Sequence, residues 1–500
     1  MPMQITSSQT GNIYNSKSNG CKNLSNGHSS IEPSNLAHGA RSLPDWTSSY
    51  PSQSLRFLEE LAKGDASSHH QALLTESKPE LAQLRLNIII VGAGLGGLAL
   101  AIALSRRGHV VGAGIQIPPN SGRLLHRWGV LEHLEKWVVK PEGINFRRWE
   151  DGKIIGHTAL GHTFQDDFQA PYYVVHRAHF HEALHQRALQ LGVLVELGCR
   201  VTQYNEDSGS VIYGDGSVAQ GDLVVAADGI KSIARNYIHK DICHDPVYNG
   251  FAAYRATVDV SKIRNDPDLA WILDRPFLNI WIGEDRHVMS YTIAAGESLN
   301  LVLSHVDHSD PTTWTQTFAK EHIQKEFCGW DPQLTKIISL IDQCMKWPLK
   351  VGKQLKSWTS KSSRLVILGD AAHAMLPYMS QGAAMAVEDG AALAMVLNQI
   401  CSLEELPFAL RAFEQERIKR SSDMQNASRV NGLIWHFPDG PEQEARDAAM
   451  AAEVMGVPFT RSSNQWSDPV TQWWAYGYDA EKEMKKVWSR EVSGLISRAH

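Results

Sequence analysis

The residues with the clearest chemical meaning are glycines that follow a short apolar stretch, Ile88–Val91. They lie in the run Gly92-Ala93-Gly94-Leu95-Gly96-Gly97. In a strand–turn–helix unit, Gly92 would permit a tight turn, Gly94 would let a pyrophosphate approach the backbone, and Gly97 would let helix and strand pack closely. The N-terminus of the following helix offers unpaired N–H groups and the positive end of its dipole to phosphates. This spacing therefore predicts a dinucleotide-binding turn.

An acidic residue is missing from the place where such a turn normally has one. An Asp or Glu about 20 residues after the turn hydrogen-bonds the adenosine ribose in dinucleotide-binding folds. No Asp or Glu occurs between Gly97 and Glu132, and Val111 joins Gly112 directly. Loss of a charge-assisted hydrogen bond costs about 1.5–3 kcal/mol, which is about one to two decades of affinity.

Two further acidic residues follow apolar strands. Asp228 comes after Leu223–Ala226, and Asp370 comes after Leu365–Leu368. Ligands of open α/β sheets bind at the carboxyl edge of the strands, where Asp370 could accept hydrogen bonds from sugar-type hydroxyls. A helix that begins near Gly382-Ala383 could stabilise negative charge on a reduced ring. A plain strand-terminating turn explains Asp228 equally well.

Two other side chains have competing interpretations. Arg255 lies in the apolar run Phe251–Val258 and could either hold an anionic ligand or form an ion pair on the strand face. We favour the ligand, because an unpaired buried charge is costly. His373 could be catalytic, but a lone His in a tight loop is more often a structural hydrogen bonder, and we favour that interpretation.

The composition excludes several classes of protein. The 500 residues suggest two or three domains, and 43% hydrophobic and 20% charged residues are typical of a soluble globular chain. A net charge of -6 gives no reason to expect nucleic acid. The six Cys contain no CxxC pair, which argues against a metal site and a disulfide scaffold and favours a reducing, cytoplasmic location. The apolar run Ile88–Leu104 is better explained as strand, turn and helix than as a membrane span.

The order of predicted elements favours an α/β fold in which a nucleotide domain is interrupted by a sheet domain. Residues 1–82, rich in Ser, Asn and Gly up to Tyr50, are expected to be a disordered extension. We predict helices over Leu124–Val138, His179–Leu191, Ala383–Ile400 and Glu404–Arg429, a hairpin over Phe146–Thr158, and a mainly helical stretch up to Gln343. The predicted strands are Val193–Val195, Val211–Tyr213, Leu223–Ala226, Phe251–Val258, Leu278–Ile282, His287–Ile293, Leu299–Ser304 and Leu365–Leu368, with an Asp215-Gly216 turn between the second and third.

Three motifs together resemble the class A flavoprotein aromatic hydroxylases, and among them the fungal salicylate-hydroxylase-like monooxygenases. The motifs are GAGLGG, VVAADGIKS and GDAAHAMLPYMSQGAAMAVEDG, and the resemblance extends over about residues 85–480. It implies a discontinuous Rossmann-like FAD-binding domain with an inserted mixed β-sheet substrate domain, as in para-hydroxybenzoate hydroxylase. The implied FAD-binding segments are 83–145, 174–249 and 361–400. The substrate domain would comprise 146–173 and 250–360, with a C-terminal helical segment over 401–500.

The resemblance also implies roles for individual residues. Those matched to FAD are Gly92, Gly94 and Gly97 at the pyrophosphate, Ala113 and Arg123 beside the ribityl and ring region, Arg177, Asp228 between the flavin and nicotinamide clefts, and Asp370 and Ala383 at the ribityl chain and ring. In members that act on polyketides an Arg and a Tyr hold the substrate. Arg255 matches the first, and Tyr291 is our match for the second.

The implied reaction is hydroxylation of a phenolic aromatic substrate. In the family, NAD(P)H reduces FAD, which takes up O2 to form a C4a-hydroperoxide that the electron-rich ring attacks. We expect a fungal polyketide of secondary metabolism as substrate, a monomer or homodimer, and no metal, nucleic acid or membrane partner. The alternatives are a salicylate or other hydroxybenzoate hydroxylase, and a non-catalytic relative that keeps the fold without tight FAD binding.

The family pattern makes the missing acid more specific. Members continue GHxV into a second strand that ends in Glu and reach GAGIQ about a dozen residues later, whereas this chain passes from Val111 straight into Gly112. The ribose-binding Glu therefore has no matching position. Three explanations stay open: an internal segment lost from the gene model, a genuine variant with weaker FAD binding, and a pseudoenzyme.

Overall fold

The computed structural model describes residues 81–107, 117–240, 244–314 and 320–499. The predicted N-terminal extension falls almost wholly outside these ranges, as does the Val111–Gly112 junction. Within them the strands, in chain order, are β1 Ile88–Val91, β2 Gly143–Arg148, β3 Ile154–Ala159, β4 Val201–Asn205, β5 Ser210–Tyr213, β6 Val218–Gln220, β7 Leu223–Ala226, β8 Val247–Asp259, β9 Phe277–Gly283, β10 Arg286–Ile293, β11 Ser298–Val306, β12 Cys344–Val351 and β13 Leu365–Ile367.

Helices precede, connect and follow these strands. The α-helices are Leu95–Ser105, Pro119–Arg127, Leu131–Leu134, His162–Phe168, Arg177–Gln190, Ala234–Ile238, Ser261–Arg264, Lys320–Glu326, Pro332–Ser339, Asp370–His373, Gly382–Leu397, Leu406–Trp435, Pro441–Met455, Pro469–Tyr476 and Ala480–Ala499. None of them is both long and apolar enough to cross a membrane.

A parallel sheet of order β1-β7-β13 forms the centre of the nucleotide region. Its registers place Ile88 opposite Leu223, and Leu365 opposite Val224. The helices Leu95–Ser105 and Gly382–Leu397 are buried almost throughout. They pass so close that a Cβ on Gly390 would lie 2.7 Å from the Leu100 nitrogen. Tight packing on short apolar strands is therefore what positions the glycine turn.

The larger sheet has the order β12-β8-β11-β10-β9-β2-β3 and is antiparallel except between β2 and β9. Alternation along its strands separates two faces, because successive side chains of a strand point to opposite sides. One face packs into a hydrophobic core that includes Ala256, Val288 and Leu301. The other face carries Arg255, Met289 and their same-side neighbours, which border a cavity.

The predicted α/β fold class is confirmed, and most predicted elements are present. The hairpin is formed by β2 and β3, and all four strands predicted over residues 250–305 are observed. Two details were wrong. The Asp215-Gly216 turn joins β5 to β6, not β5 to β7. The strand β12 was missed, because the stretch between Gln343 and Leu365 was left unassigned.

The predicted strand Val193–Val195 is also wrong. These residues belong to no strand, and Leu194 is 82% exposed. A strand is stabilised by hydrogen bonds to a neighbouring strand, and the described part of the chain supplies none here. The predicted helix Leu124–Val138 is broken at Gly129, whose φ of +74° ends the helix Pro119–Arg127.

The division into an FAD-binding and a substrate domain stays a prediction. Two of the predicted boundaries, at 145/146 and 249/250, fall inside strands, because β2 begins at Gly143 and β8 begins at Val247. Both strands belong to the large sheet over their whole lengths.

Candidate active site

A cavity of about 460 Å³ lies between the glycine turn and the face of the large sheet that carries Arg255 and Met289. Six of the residues selected from the sequence line it, although they come from six separate parts of the chain. They are Gly94, Arg177, Arg255, Tyr291, Asp370 and Ala383. The fold therefore brings the predicted cofactor and substrate residues to one place.

Backbone, not side chains, forms the glycine-turn end of this cavity. Gly92 has φ of +110°, and a Cβ there would lie 2.3 Å from the Ala227 carbonyl oxygen. Gly94 differs, because a Cβ there would meet nothing within 4 Å. Gly94 also begins the helix Leu95–Ser105, which has no side-chain cap and no acidic residue in its first turn. The first N–H groups of this helix are thus not satisfied by a capping side chain.

A second backbone element faces the cavity from the loop after β13. Gly369 and Asp370 line it, and the Asp370 carboxylate makes no hydrogen bond to any residue within the described ranges. The helix Gly382–Leu397 begins in the same wall without a side-chain cap. An exposed carboxylate beside an uncapped helix N-terminus can meet both hydroxyl and anionic parts of one ligand.

A buried ionic network supports this loop from behind. Asp389 accepts hydrogen bonds from the Gly369 N–H at 3.0 Å and from Arg417 Nε at 2.9 Å, and its Oδ2 lies 2.6 Å from His373 Nε2. Burial alone would raise the pKa of Asp389, but His373 and Arg417 outweigh it and hold that pKa below its usual value. Arg417 also pairs with Glu388 at 2.7 Å. His373 is 2% exposed and does not line the cavity, which agrees with its structural interpretation.

Positive charge dominates the cavity between its two ends. Burial lowers the pKa of Arg177, the nearby Arg255 lowers it further, and Asp370 opposes the shift. Arg255 forms no ion pair or hydrogen bond with another residue in the described ranges. The ion pair considered for it on the strand face is therefore not observed there, and the cavity is lined by these two guanidinium groups and the Asp370 carboxylate.

On the cavity side of the large sheet, residues that pair across neighbouring strands form rows that run across the strands. Arg255 lies opposite Val302, which lies opposite Met289. Tyr291 and Asn300 belong to the next row. Adjacent rows on one face are roughly 7 Å apart, so a single aromatic ring can contact residues of both rows.

Four of the selected residues lie elsewhere. Gly92 lies in the turn and Gly97 lies in the helix Leu95–Ser105, and neither lines the cavity. Asp228 sits beside the lining, where its Oδ2 accepts hydrogen bonds from the Tyr204 hydroxyl and the Ile233 N–H, both at 3.1 Å. Its Oδ1 is buried without a partner among the described residues.

Arg123 was expected beside the flavin but does not line the cavity. Its guanidinium donates to the carbonyl oxygens of Phe168, Tyr476 and Tyr478. Burial lowers its pKa to about 10. Its bonds thus hold the C-terminal segment in place. Ala113 belongs to residues 108–116, which lie outside the described ranges.

Several lining residues were missed from the sequence. They are mainly on the sheet wall and include His287, Met289, Asn300, Val302 and Trp435. Alternation could have found most of them, because His287, Met289 and Tyr291 occupy every second position of β10. Trp435 carried no such signal, since it comes from the end of a helix 144 residues after Tyr291 in the chain.

The family is decided by comparison with known proteins. A family model described as an FAD binding domain matches residues 85–428. The chain belongs to the FAD-dependent aromatic monooxygenases. It is 35% identical over 409 residues to the FAD-dependent monooxygenase OpS4 of Beauveria bassiana, covering 79% of this chain and 95% of that protein. It is 31% identical over 410 residues to the 3-amino-4-hydroxybenzoate 2-monooxygenase PtmB3 of Streptomyces platensis, covering 79% and 97%.

A solved structure supports the same assignment. The crystal structure of CtdE in complex with FAD and its substrate superposes with a TM-score of 0.68 at 25% identity, covering 83% of this chain and 100% of that one. In this chain the open space at Gly94 and the uncapped helix N-termini fit the pyrophosphate and ring of FAD. The residues present therefore fit the cofactor of the family at this end of the cavity.

Proposed function

We propose that this protein uses FAD, NAD(P)H and O2 to hydroxylate a phenolic aromatic substrate that carries a negative charge when bound, and that the substrate is a fungal polyketide of secondary metabolism. The observation that carries the proposal is Arg255, a cation in the sheet wall without an ion pair among the described residues. The positive charge of Arg255 is near enough to Arg177 to lower its pKa. This wall of the cavity therefore favours an anionic ligand. The similarity to a fungal monooxygenase, at 35% identity, supports the choice of pathway type.

Different residues of the chain would bind the different parts of FAD. Gly94 and the helix after it would hold the pyrophosphate of FAD, and Asp370 would accept hydrogen bonds from the ribityl hydroxyls. The N-terminus at Gly382 and Ala383 would stabilise negative charge on the ring. When bound, FAD supplies the reduced ring that activates O2.

Arg255 and Tyr291 act on the substrate. The Arg255 guanidinium can hold a phenolate or a neighbouring carboxylate by charge-assisted hydrogen bonds. A phenolate ring is more electron-rich than a phenol ring, so holding the anion speeds attack on electrophilic oxygen. Tyr291 can donate to the same oxygen. Apolar neighbours such as Met289 and Val302 keep water away from the reacting atoms.

The experiment is a substrate survey with the purified chain and added FAD. NADH and NADPH oxidation and product mass would be measured with resorcylate-type polyketides, salicylate, and 3-amino-4-hydroxybenzoate, under isotopically labelled O2. We expect one labelled oxygen atom in a polyketide product. Turnover of small benzoates alone would contradict the polyketide substrate, and colourless protein that cannot be reconstituted with FAD would contradict the enzyme.

The second candidate is hydroxylation of a simple hydroxybenzoate. The specific observation behind it is the similarity to PtmB3, whose name gives an aminohydroxybenzoate as substrate. With salicylate as substrate, this function predicts loss of the carboxylate during hydroxylation. Release of CO2 together with catechol would identify it.

A further inference from the structure

A pair of histidines extends from the cavity on the same side of the large sheet as Arg255. His287 lines the cavity on β10 and is 3% exposed. Its Nδ1 lies 2.8 Å from Nε2 of His436, the residue that follows the helix Leu406–Trp435. His436 itself does not line the cavity. The pair therefore connects a cavity residue with one outside the cavity.

Aromatic neighbours fix the orientation of both imidazole rings. The His436 ring stacks on His287 with centroids 5.1 Å apart and on Phe251 with centroids 5.0 Å apart. Tyr378 contacts both imidazoles edge-on. The charged group that acts on His436 is Arg446, from the helix Pro441–Met455. No carboxylate hydrogen-bonds either ring in the described ranges.

These surroundings keep the pair neutral. Burial lowers the pKa of His287 well below its usual value, and the neighbouring His436 adds to the shift. Burial and Arg446 lower the pKa of His436 to about 3. A neutral imidazole has one donor and one acceptor nitrogen. The short contact therefore uses one donor and one acceptor, and the two tautomers must change together.

The sheet register places His287 within reach of the substrate site. His287 is two residues from Met289 on β10, and Met289 belongs to the row of Arg255. The row of His287 and the row of Met289 are roughly 7 Å apart, so one substituted aromatic ring can contact both. Because His436 occupies Nδ1 of His287, Nε2 is the ring nitrogen left for a cavity ligand.

We propose that the His287–His436 pair carries the phenolic proton of the substrate out of the cavity. The substrate O–H bond breaks and its proton joins Nε2 of His287, while the Nδ1 proton of His287 moves to Nε2 of His436. The Nδ1 proton of His436 then passes to water. The net change is one proton moved from phenol to solvent, and the phenolate stays beside Arg255. The reverse transfer restores both tautomers when the product is protonated.

This inference rests on the proposed function, and the substitution His436→Gln tests it. A glutamine amide can still hydrogen-bond His287 but cannot pass on a proton, and the cavity lining is unchanged. General acid–base steps contribute about 10²–10⁴-fold. We expect kcat at neutral pH to fall at least ~10-fold with bound FAD and KM unchanged, and the loss to shrink as pH approaches the pKa of the free phenol.

A second measurement needs no turnover. Oxidised holoenzyme is mixed rapidly with 4-hydroxy-3-nitrobenzoate, an analogue of the aminohydroxybenzoates whose phenolate absorbs visible light, and the colour is followed over time. Because the path sets the rate of proton loss and not its equilibrium, the coloured phenolate should form at least ~10-fold more slowly in His436→Gln than in wild type below the pKa of the free probe. The control is His305→Gln, which removes a buried histidine from the opposite face of the same sheet, where it stacks on Tyr254. It should leave both measurements unchanged.

The outcomes separate the two proposals. An equal loss of kcat at every pH, no loss at all, or formation of the phenolate in His436→Gln at the wild-type rate would each overturn the proton path and leave the pair as packing. Absence of hydroxylation by wild type with every phenol tested would overturn the proposed function, whereas the rate of the colour change would still report on the histidines.

Discussion

The two ends of the cavity are built by opposite means. At the nucleotide end the wall is backbone: Gly94, Gly96 and Gly369 line it, and open space lies where a Gly94 side chain would be. At the sheet end the wall is side chains, among them Arg255, Tyr291 and His287, projecting from one face of a regular sheet.

The difference teaches how each end can fail. The nucleotide end should lose function when atoms are added, because a ligand needs the space beside the backbone. The sheet end should lose function when atoms are removed, because its chemistry resides in particular groups. The experiments that follow test this contrast.

The largest effect is expected from Arg255→Ala. Arg255 is exposed to the cavity, and a hydrogen bond from a charged group contributes about 1.5–3 kcal/mol, so kcat/KM should fall at least ~10-fold while the flavin absorbance of the purified protein stays the same. Arg286→Ala is the control, because Arg286 is on β10 and pairs with Glu326 instead of facing the cavity. Unchanged product formation would make Arg255 structural.

Gly94→Ala should come next, and its effect should fall on FAD. A methyl group inserted into a filled space costs about 1–3 kcal/mol, so the Kd for FAD should rise ~5- to 100-fold. The unfolding temperature of the apoprotein should not change, because no protein atom is in the way. Gly161 is a matched control: it begins the helix His162–Phe168 with nearly the same φ, and its Cβ would also meet nothing within 4 Å. Loss of apoprotein stability in Gly94→Ala would show that the space serves folding.

Met289→Ala tests removal of apolar atoms from the sheet wall. Each buried methylene contributes about 0.8 kcal/mol, so partial loss of contact should raise KM ~5-fold with kcat nearly constant and FAD binding unaffected. Steady-state kinetics with the best substrate of the survey would measure it. A change in FAD affinity instead would mean that the two ends are not separate.

The smallest effect concerns the pH dependence of stability. The pKa of His436 is about 3 in the folded protein, against 6.5 ordinarily. The unfolded chain therefore binds more protons between these values, so this contribution to stability is complete above pH 6.5 and is lost as pH falls towards 3. Between pH 7 and pH 6 the loss should be below ~1 kcal/mol. Thermal unfolding of His436→Gln should show a shallower decline, and an identical decline would contradict the neutral buried histidine.

Local patterns were enough to predict part of this molecule. The glycine spacing predicted the turn, and the residue types of short segments predicted the strands that carry Arg255 and Tyr291, because both signals lie in neighbouring residues. Trp435, His436 and the true position of Arg123 depend on helices and loops far along the chain. The strand expected at Val193–Val195 failed for the same reason, since a strand needs a partner that its own residues do not specify.

The bonds of Arg123 have a consequence for the order of synthesis. Its partner carbonyl on Tyr476 lies 353 residues later, and its neighbour Arg127 pairs with Asp479 and Glu481. Domains begin to fold while the chain is still emerging from the ribosome, yet the helix Pro119–Arg127 gains these contacts only when residues 476–481 have been synthesised. If the ribosome stalled before that point, the released chain could form its other helices and sheets. The helix Pro119–Arg127 would then lack its hydrogen bond to Tyr476 and its ion pairs with Asp479 and Glu481.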